Sequence, residues 1–269
     1  MIDDRQLEIL INDVFEYQGF DFSGYSRASL KRRVDRIYQL DGFKNFYDFL
    51  SKAKSDTNYF KRMVEEITVN VTEMFRDPHF YKILRDEIIP QLATKPFIRI
   101  WHAGCSSGEE VFSMAILLKE ANLLQKSLIY ATDINPIVLD TAKKGIFPLR
   151  MMKQYSENYI ESGGKLDFSE YYIANYGYAK FGDDLLAKMV YSQHNLVSDS
   201  SFNEFDLILC RNVMIYFDKD LQERALNLFD DSLAKLGYLA LGTKETIKFS
   251  TIQKRYVQLN KDKIWKKMQ

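Results

Sequence analysis

Two adjacent glutamates, Glu109 and Glu110, follow a glycine-bearing turn at a position where a helix is expected to begin. The turn has the sequence Gly-Cys-Ser-Ser-Gly, starts at Gly104 and follows the β-rich residues 97–103. A strand, a tight turn and a helix N-terminus form a ligand-binding crevice at the carboxyl edge of a parallel sheet. Two carboxylates at that N-terminus would repel a pyrophosphate. The crevice, with Gly104 in its wall, is therefore predicted to bind a cationic ligand.

A second β-rich stretch, residues 127–132, ends in Asp133. In α/β nucleotide-binding proteins, an acidic residue at the tip of the second strand binds the ribose hydroxyls. S-adenosylmethionine has a ribose for Asp133, and it also has a sulfonium and an ammonium group that suit an acidic crevice. The two motifs together predict S-adenosylmethionine as the cofactor, with S-adenosylhomocysteine as the product of methyl transfer.

The composition limits the class of protein. The chain has 269 residues with 37 basic and 37 acidic side chains, so no overall positive field favours a nucleic-acid partner. Its two cysteines, Cys105 and Cys210, show neither metal-ligand spacing nor a disulfide framework, and no metal is expected. No stretch approaches the roughly 18 apolar residues of a membrane span, and the acidic N-terminus lacks an apolar signal core. We expect a cytoplasmic protein without direct membrane insertion.

The periodicity of apolar residues divides the chain into two domains. Residues 1–68 have helical spacing and predict a small all-helical domain, whereas strands and helices alternate in residues 69–269, which predicts a doubly wound parallel α/β sheet. The predicted strands are residues 97–103, 127–132, 189–193, 205–210 and 238–241, and the predicted helices are residues 111–121, 138–144 and 221–236. Residues 256–266, with a polar turn at 260–262, predict a hairpin that adds an antiparallel edge strand. The irregular residues 148–187 predict an insertion.

Four segments resemble a known family. They are residues 69–78 (Val-Asn-Val-Thr-Glu-Met-Phe-Arg-Asp-Pro), 103–110 (Ala-Gly-Cys-Ser-Ser-Gly-Glu-Glu), 132–135 (Thr-Asp-Ile-Asn) and 210–217 (Cys-Arg-Asn-Val-Met-Ile-Tyr-Phe). In these segments the chain is similar to the CheR chemotaxis methyltransferases, which transfer a methyl group from S-adenosylmethionine to glutamate side chains of chemoreceptors. The resemblance implies a helical N-terminal substrate-recognition domain, a class I, Rossmann-like methyltransferase domain and a small β-subdomain inserted at 148–187. It also implies a protein-glutamate O-methyltransferase of chemotaxis signal transduction.

The resemblance further implies which residues bind the cofactor. They are Asn70, Thr72, Arg76, Glu109, Glu110, Asp133, Asn195, Leu196, Arg211 and Asn212. Asn195 and Leu196 follow a predicted strand, where the amide can pair with the adenine edge and the leucine can cover its face. Residues 242–245 are Gly-Thr-Lys-Glu where the family usually has Gly-His-Ser-Glu. This departure is expected to alter the outer wall of the pocket or the substrate.

Two other interpretations of these residues stay open. Asn70 and Thr72 fit caps of a helix over residues 75–84. Arg211 and Asn212 fit the simple end of a strand.

The reaction itself requires no strong general base. A glutamate side chain, with an ordinary pKa near 4.3, is already an anionic nucleophile at neutral pH. The enzyme must align the carboxylate oxygen, the methyl carbon and the sulfur and exclude water, and orientation of this kind supplies roughly 7 to 11 kcal/mol. Tyr216 and Arg76 are the predicted catalytic residues, because a hydroxyl and a guanidinium can orient the incoming carboxylate. Core packing is the alternative role of Tyr216.

A basic helical face is the candidate surface for the receptor. Within residues 25–38, the apolar side chains share one face and leave Arg32, Arg33 and Arg36 on the opposite one. These arginines are predicted to bind the glutamate-rich cytoplasmic helices of a methyl-accepting chemoreceptor, and a solvated charged face is the alternative. We expect a monomer that is recruited to membrane receptor arrays.

Two other classes of function fit parts of the sequence. Residues 104–108 match the Gly-x-Ser-x-Gly nucleophile elbow of α/β-hydrolases, with Ser106 as the nucleophile. The 75 residues after His194, where the hydrolase base should lie, contain no histidine. The second alternative is a non-catalytic regulator that binds S-adenosylmethionine.

Overall fold

The computed structural model describes residues 1–68, 72–259 and 263–268, and the chain forms two compact units. The first contains Met1–Asn70 together with Met214–Arg224, and the second contains Val71–Val213 together with Ala225–Gln269. The periodicity of the sequence does not predict that Met214–Arg224 groups with the N-terminal helices.

The first unit is helical, as its apolar spacing predicts. Its helices are α1 (Asp4–Gln18), α2 (Arg27–Leu40), α3 (Phe46–Ser55) and α4 (Thr57–Thr68). A capping box starts α1, in which the side chains of Asp3 and Gln6 accept each other's backbone N–H groups. The helix ends at Gly19, whose φ of 68° is a left-handed conformation. The buried faces of the four helices form one apolar core.

The second unit is built on a seven-stranded sheet in the order β6-β2-β1-β7-β8-β10-β9. The ten strands of the chain are β1 (Ile98–Ala103), β2 (Ser127–Asp133), β3 (Ile146–Pro148), β4 (Tyr172–Asn175), β5 (Tyr178–Phe181), β6 (Met189–Gln193), β7 (Phe205–Cys210), β8 (Leu233–Leu241), β9 (Tyr256–Gln258) and β10 (Ile264–Lys267) within the described ranges. From β6 through β2, β1 and β7 to β8, each strand is parallel to the next strand in this order. Strand β10 is antiparallel to β8 and β9, which confirms the predicted hairpin; its turn at 260–262 lies outside the described residues.

The chain order of the strands reverses at β1. Strand β1 pairs on one side with β2, the next strand in the chain, and on the other side with β7, a much later strand. Open α/β sheets bind ligands outside the carboxyl ends of the strands at such a switch point. The candidate residues after β1, β2 and β7 therefore belong to one edge of the sheet.

Helices flank this sheet and an inserted subdomain. They are α5 (Pro78–Ile83), continued by a π-helical turn (Leu84–Ile88), α6 (Ile89–Leu92), α7 (Glu109–Glu120), α8 (Pro136–Lys144), α9 (Met152–Glu161), α10 (Asp183–Leu186) and α11 (Lys219–Ser232). Strands β3, β5 and β4 form a separate antiparallel sheet, which is the small β-subdomain that the resemblance implies. Phe112 of α7 packs against Phe147 and Phe181 of this sheet, with ring centroids 5.4 and 5.2 Å apart.

The predicted helix over residues 221–236 is wrong at its C-terminal end. Helix α11 stops at Ser232, and β8 begins at once with Leu233. Leu233 is buried and pairs with Phe205 of β7, and the register then shifts before Leu207. Apolar residues in this stretch fit a helical period, but the pairing with β7, which is distant in sequence, decides the structure.

Candidate active site

The turn between β1 and α7 combines three left-handed residues. Gly104, Ser106 and Gly108 have φ values of 78°, 51° and 96°. A Cβ atom on Gly104 would lie 2.5 Å from Cγ2 of Val213, which follows β7. The turns after β1 and β7 therefore approach each other closely, and α7 begins with Glu109 beside them.

Asp133 ties the end of β2 to this turn. Its Oδ2 accepts the backbone N–H of Ser106 at 2.9 Å, and its Oδ1 accepts that of Asn135 at 2.9 Å. Burial raises the pKa of Asp133, while these backbone hydrogen bonds oppose the rise. Each carboxylate oxygen keeps a second acceptor site, so Asp133 can also bind a hydroxyl group.

Glu109 is a buried acid without a cationic partner. It is 6 % exposed and accepts hydrogen bonds from the hydroxyls of Ser107, at 2.7 Å, and Tyr155, at 3.4 Å. Burial raises its pKa from 4.5 to about 7. Among the residues that the structure describes, no lysine or arginine forms an ion pair with it. A positively charged ligand would supply the missing partner.

Glu110 is, by contrast, fully compensated within the protein. Its Oε1 lies 2.9 Å from Nδ1 of His102, and its Oε2 accepts a hydrogen bond from Arg211 at 3.0 Å. Burial alone would raise the pKa of Glu110, but the hydrogen bond with His102 and the charge of Arg211 lower it overall. Arg211 also donates to Asp77 at 2.6 Å and lies over the ring of Phe80, 4.0 Å from its centroid.

The turn after β7 is held by Glu245. Its carboxylate accepts the backbone N–H groups of Asn212 at 2.9 Å, Val213 at 3.0 Å and Gly242 at 2.6 Å. Asn212 has a φ of 62°. The glutamate that ends the variant segment 242–245 therefore supports the loop that carries Arg211 and Asn212.

Asn195 and Leu196 follow β6, as predicted. Oδ1 of Asn195 accepts the N–H of Val197 at 2.9 Å, and the backbone N–H of Asn195 donates to Asp199 at 2.8 Å. The side chain of Leu196 is buried. The pair thus lies in a hydrogen-bonded turn beside the end of β2, since β6 pairs with β2.

The segment before α5 holds the remaining cofactor candidates. Asn70 lies outside the described residues, and Thr72 and Arg76 are half-buried. Helix α5 begins at Pro78 with Asp77 as its N-cap, so the interpretation of Thr72 as a helix cap is wrong. The carbonyl of Arg76 accepts a hydrogen bond from Arg211 at 3.3 Å, which places this segment next to the turn after β7.

Tyr216 belongs to the first unit. Its carbonyl accepts the N–H of Ser26 at 2.7 Å, and its ring lies under the guanidinium of Arg33, 5.0 Å from Cζ to the ring centroid. Arg32 and Arg36 are exposed and line an open groove of about 620 Å³ along α2. The predicted common face of three arginines is therefore divided, because Arg33 packs on Tyr216.

Sequence reasoning missed the residues that support the site. Tyr155 and Glu245 each contact a candidate residue across a long sequence separation, and His102 contacts Glu110 across the turn between β1 and α7. The only signal for Tyr155 is the tyrosine-rich composition of the insertion, which does not single it out. His102 lies in β1 directly before the turn, but its partner in α7 becomes evident only from the fold.

The structure gives no support to the hydrolase alternative. The Ser106 hydroxyl is buried and has no hydrogen-bond partner among the described residues, so no histidine activates it there. Over the same ranges, no cluster of His, Cys, Asp and Glu could hold a metal ion. No helix in the described part of the chain is long and apolar enough to cross a membrane.

Comparison with known proteins identifies similar chains. The family model described as the CheR methyltransferase all-alpha domain matches residues 5–68, and that of the CheR methyltransferase SAM binding domain matches residues 70–263. A Pseudomonas putida protein named as methyltransferase Cher3 is 44% identical over 258 residues, which cover 96% of this chain and 94% of that protein. The chemotaxis protein methyltransferase of Borreliella burgdorferi is 32% identical over 90% of this chain and 88% of its own. Chemotaxis protein methyltransferase 2 of Pseudomonas aeruginosa is 35% identical over 82% and 77% of the two chains.

Proposed function

Because the chain belongs to the CheR family of S-adenosylmethionine-dependent methyltransferases, we propose that it methylates glutamate side chains of chemoreceptors to give methyl esters. Glutamate methylation of chemoreceptors is the known role of this family. The observation that carries the proposal for this chain is the acidic crevice at the switch point of the sheet. There, Glu109 is buried without a cationic partner and Asp133 lies at the end of β2.

The residues of the crevice fit the cofactor. Glu109 would face the ammonium and sulfonium charges, because Glu110 already pairs with His102 and Arg211, and Asp133 would accept hydrogen bonds from the ribose. Leu196 would cover the adenine, with Asn195 at its edge. When bound, the cofactor supplies a methyl group activated by the positive sulfur. Ser106 Oγ and Asn135 Nδ2, which are buried without protein partners in the described ranges, offer further polar atoms beside Asp133.

The catalytic residues act by positioning. The glutamate substrate is already ionised at neutral pH, so no residue has to remove a proton from it. We assign Tyr216 and Arg76 to the incoming carboxylate, which the hydroxyl and the guanidinium would hold in line with the methyl group.

The receptor is proposed to bind the groove along α2. Arg32 and Arg36 line it and are exposed, so they can meet glutamate-rich receptor helices without losing an internal partner. We expect the enzyme to be a cytoplasmic monomer that is recruited to receptor arrays.

Calorimetry with S-adenosylmethionine and S-adenosylhomocysteine tests the proposed activity first. The expected result is 1:1 binding of both compounds, and no binding to the folded protein would refute the methyltransferase assignment. A second assay adds methyl-labelled cofactor and receptor to the protein. If the protein binds both compounds but no label appears on the receptor, a non-catalytic regulator is favoured instead.

A further inference from the structure

We infer that Arg33 is a positioning residue for Tyr216 and is not part of the surface that binds the receptor. The inference rests on the proposed function, in which Tyr216 contacts the substrate carboxylate. Arg33 would position Tyr216, whereas Arg32 and Arg36 on the same helix would bind the receptor.

The side chain of Arg33 is engaged inside its own unit. Its guanidinium lies 5.0 Å from the centroid of the Tyr216 ring, which is within the range of a cation–π contact. Its Nε atom is buried and has no hydrogen-bond partner among the described residues, and no carboxylate in those ranges forms an ion pair with Arg33. Val34, the next residue, is fully buried in the helical core, which fixes this part of α2.

The backbone around Tyr216 is hydrogen-bonded to the residues directly before α2. Ser26 donates its N–H to the Tyr216 carbonyl at 2.7 Å, and Asp218 donates its own to the carbonyl of Gly24 at 3.2 Å. Tyr25 and Phe217 form an isolated antiparallel bridge, and their rings pack edge to face at 5.9 Å.

The Tyr216 hydroxyl has no hydrogen-bond partner among the described residues, although the ring and backbone are fixed. A ring fixed by Arg33, with its hydroxyl unengaged, can orient a carboxylate. Loss of the fixing contact should reduce the rate, because misplacement by about 1 Å costs up to roughly 100-fold.

Arg33→Met tests the inference, because it keeps much of the length of the side chain and removes its charge. The matched control is Arg32→Met, one residue earlier on α2 and exposed to solvent. We expect Arg33→Met to lower kcat about tenfold. Its KM for a receptor fragment and its Kd for cofactor should stay within about twofold of the wild-type values. Arg33→Lys should recover part of kcat, since an ammonium also makes cation–π contacts. Arg32→Met should raise the KM for the receptor fragment and leave kcat unchanged.

A double variant and a spectroscopic measurement complete the test. Arg33→Met should not slow Tyr216→Phe further, because the ring it positions then has no hydroxyl. With 3-fluorotyrosine incorporated and the Tyr216 signal assigned from Tyr216→Phe, the ¹⁹F resonance should shift in Arg33→Met and stay in place in Arg32→Met.

Two results would overturn the inference. One is a rise in KM with normal kcat in Arg33→Met, which would place Arg33 on the receptor surface. The other is an unchanged ¹⁹F resonance. If wild-type protein binds cofactor but methylates no receptor, the proposed function fails. The ¹⁹F comparison would still show whether Arg33 contacts the Tyr216 ring. If Arg33→Met does not fold, Arg33→Gln, which also removes the positive charge, takes its place in both measurements.

Discussion

The carboxyl edge of the sheet and the exposed face of α2 use charge in opposite ways. At the sheet edge, Arg211 is almost completely enclosed and pairs with Glu110 and Asp77, whereas Arg32 and Arg36 on α2 are exposed. Removing one member of a buried pair costs about 3 to 5 kcal/mol, while exposed pairs contribute at most about 1 kcal/mol. Substitutions at the sheet edge therefore change the stability of the protein as well as its ligand binding, and substitutions on α2 report mainly on a partner.

The largest effect is expected for Arg211→Met. It leaves Glu110 as a buried charge, so the free energy of unfolding should fall by about 3 to 5 kcal/mol in urea titrations. The double variant Arg211→Met/Glu110→Gln should recover part of this loss, because it leaves no unpaired charge on Glu110. The exposed Arg36→Met should change stability by less than about 0.5 kcal/mol. Equal losses in Arg211→Met and Arg36→Met would remove the contrast between the two regions.

The next effect is a pH dependence from Glu109. The pKa of this carboxyl is about 7 in the folded protein against an ordinary 4.5, so between these values the folded state binds more protons than the unfolded state. The unfolding free energy should then fall as pH rises from 4.5 to 7, by about 3 kcal/mol in total. Glu109→Gln should abolish this slope in urea titrations without cofactor, and the exposed Glu170→Gln should keep it. Identical slopes in wild type and Glu109→Gln would show that Glu109 is not a buried neutral acid.

Asp133→Ala tests how much the carboxyl edge of the sheet contributes to cofactor binding. Loss of the ribose contact should weaken binding of S-adenosylmethionine and S-adenosylhomocysteine by about 1.5 to 3 kcal/mol, or roughly ten- to a hundredfold. The N–H groups of Ser106 and Asn135 also lose their acceptor, so calorimetry must be done where circular dichroism shows a folded variant. Asp140→Asn, on the exposed side of α8, is the control. A folded Asp133→Ala with normal affinity would exclude the ribose contact.

The smallest effect on stability is expected on α2. Changing both Arg32 and Arg36 to Ala should alter the unfolding free energy by less than about 0.5 kcal/mol and raise the KM for receptor about three- to tenfold. Because exposed charges are screened over about 10 Å at 0.1 M salt, the difference from wild type should shrink as salt is added. Arg99→Ala, an exposed change in β1, should leave KM alone. A double variant with normal receptor kinetics would mean that these arginines are only solvated.

The sequence predicts the parts of the fold that are local and misses those that depend on distant packing. The strand, turn and helix around Gly104 and Glu109 follow from neighbouring residues, and so does Asp133 at the end of β2. The Tyr155 hydroxyl that binds Glu109 lies 46 positions away, and the partner of Arg33 lies 183 positions away at Tyr216. Helical periodicity also cannot end α11 at Ser232, because pairing with β7 decides that boundary.

The chemical nature of the methylated product tests the central claim most directly. The protein would be incubated with methyl-labelled S-adenosylmethionine and the cytoplasmic fragment of a chemoreceptor from the same host. The account predicts label on glutamate side chains as methyl esters, which mild alkali releases as methanol. Label that survives mild alkali, as on a methylated lysine or arginine nitrogen, would contradict it.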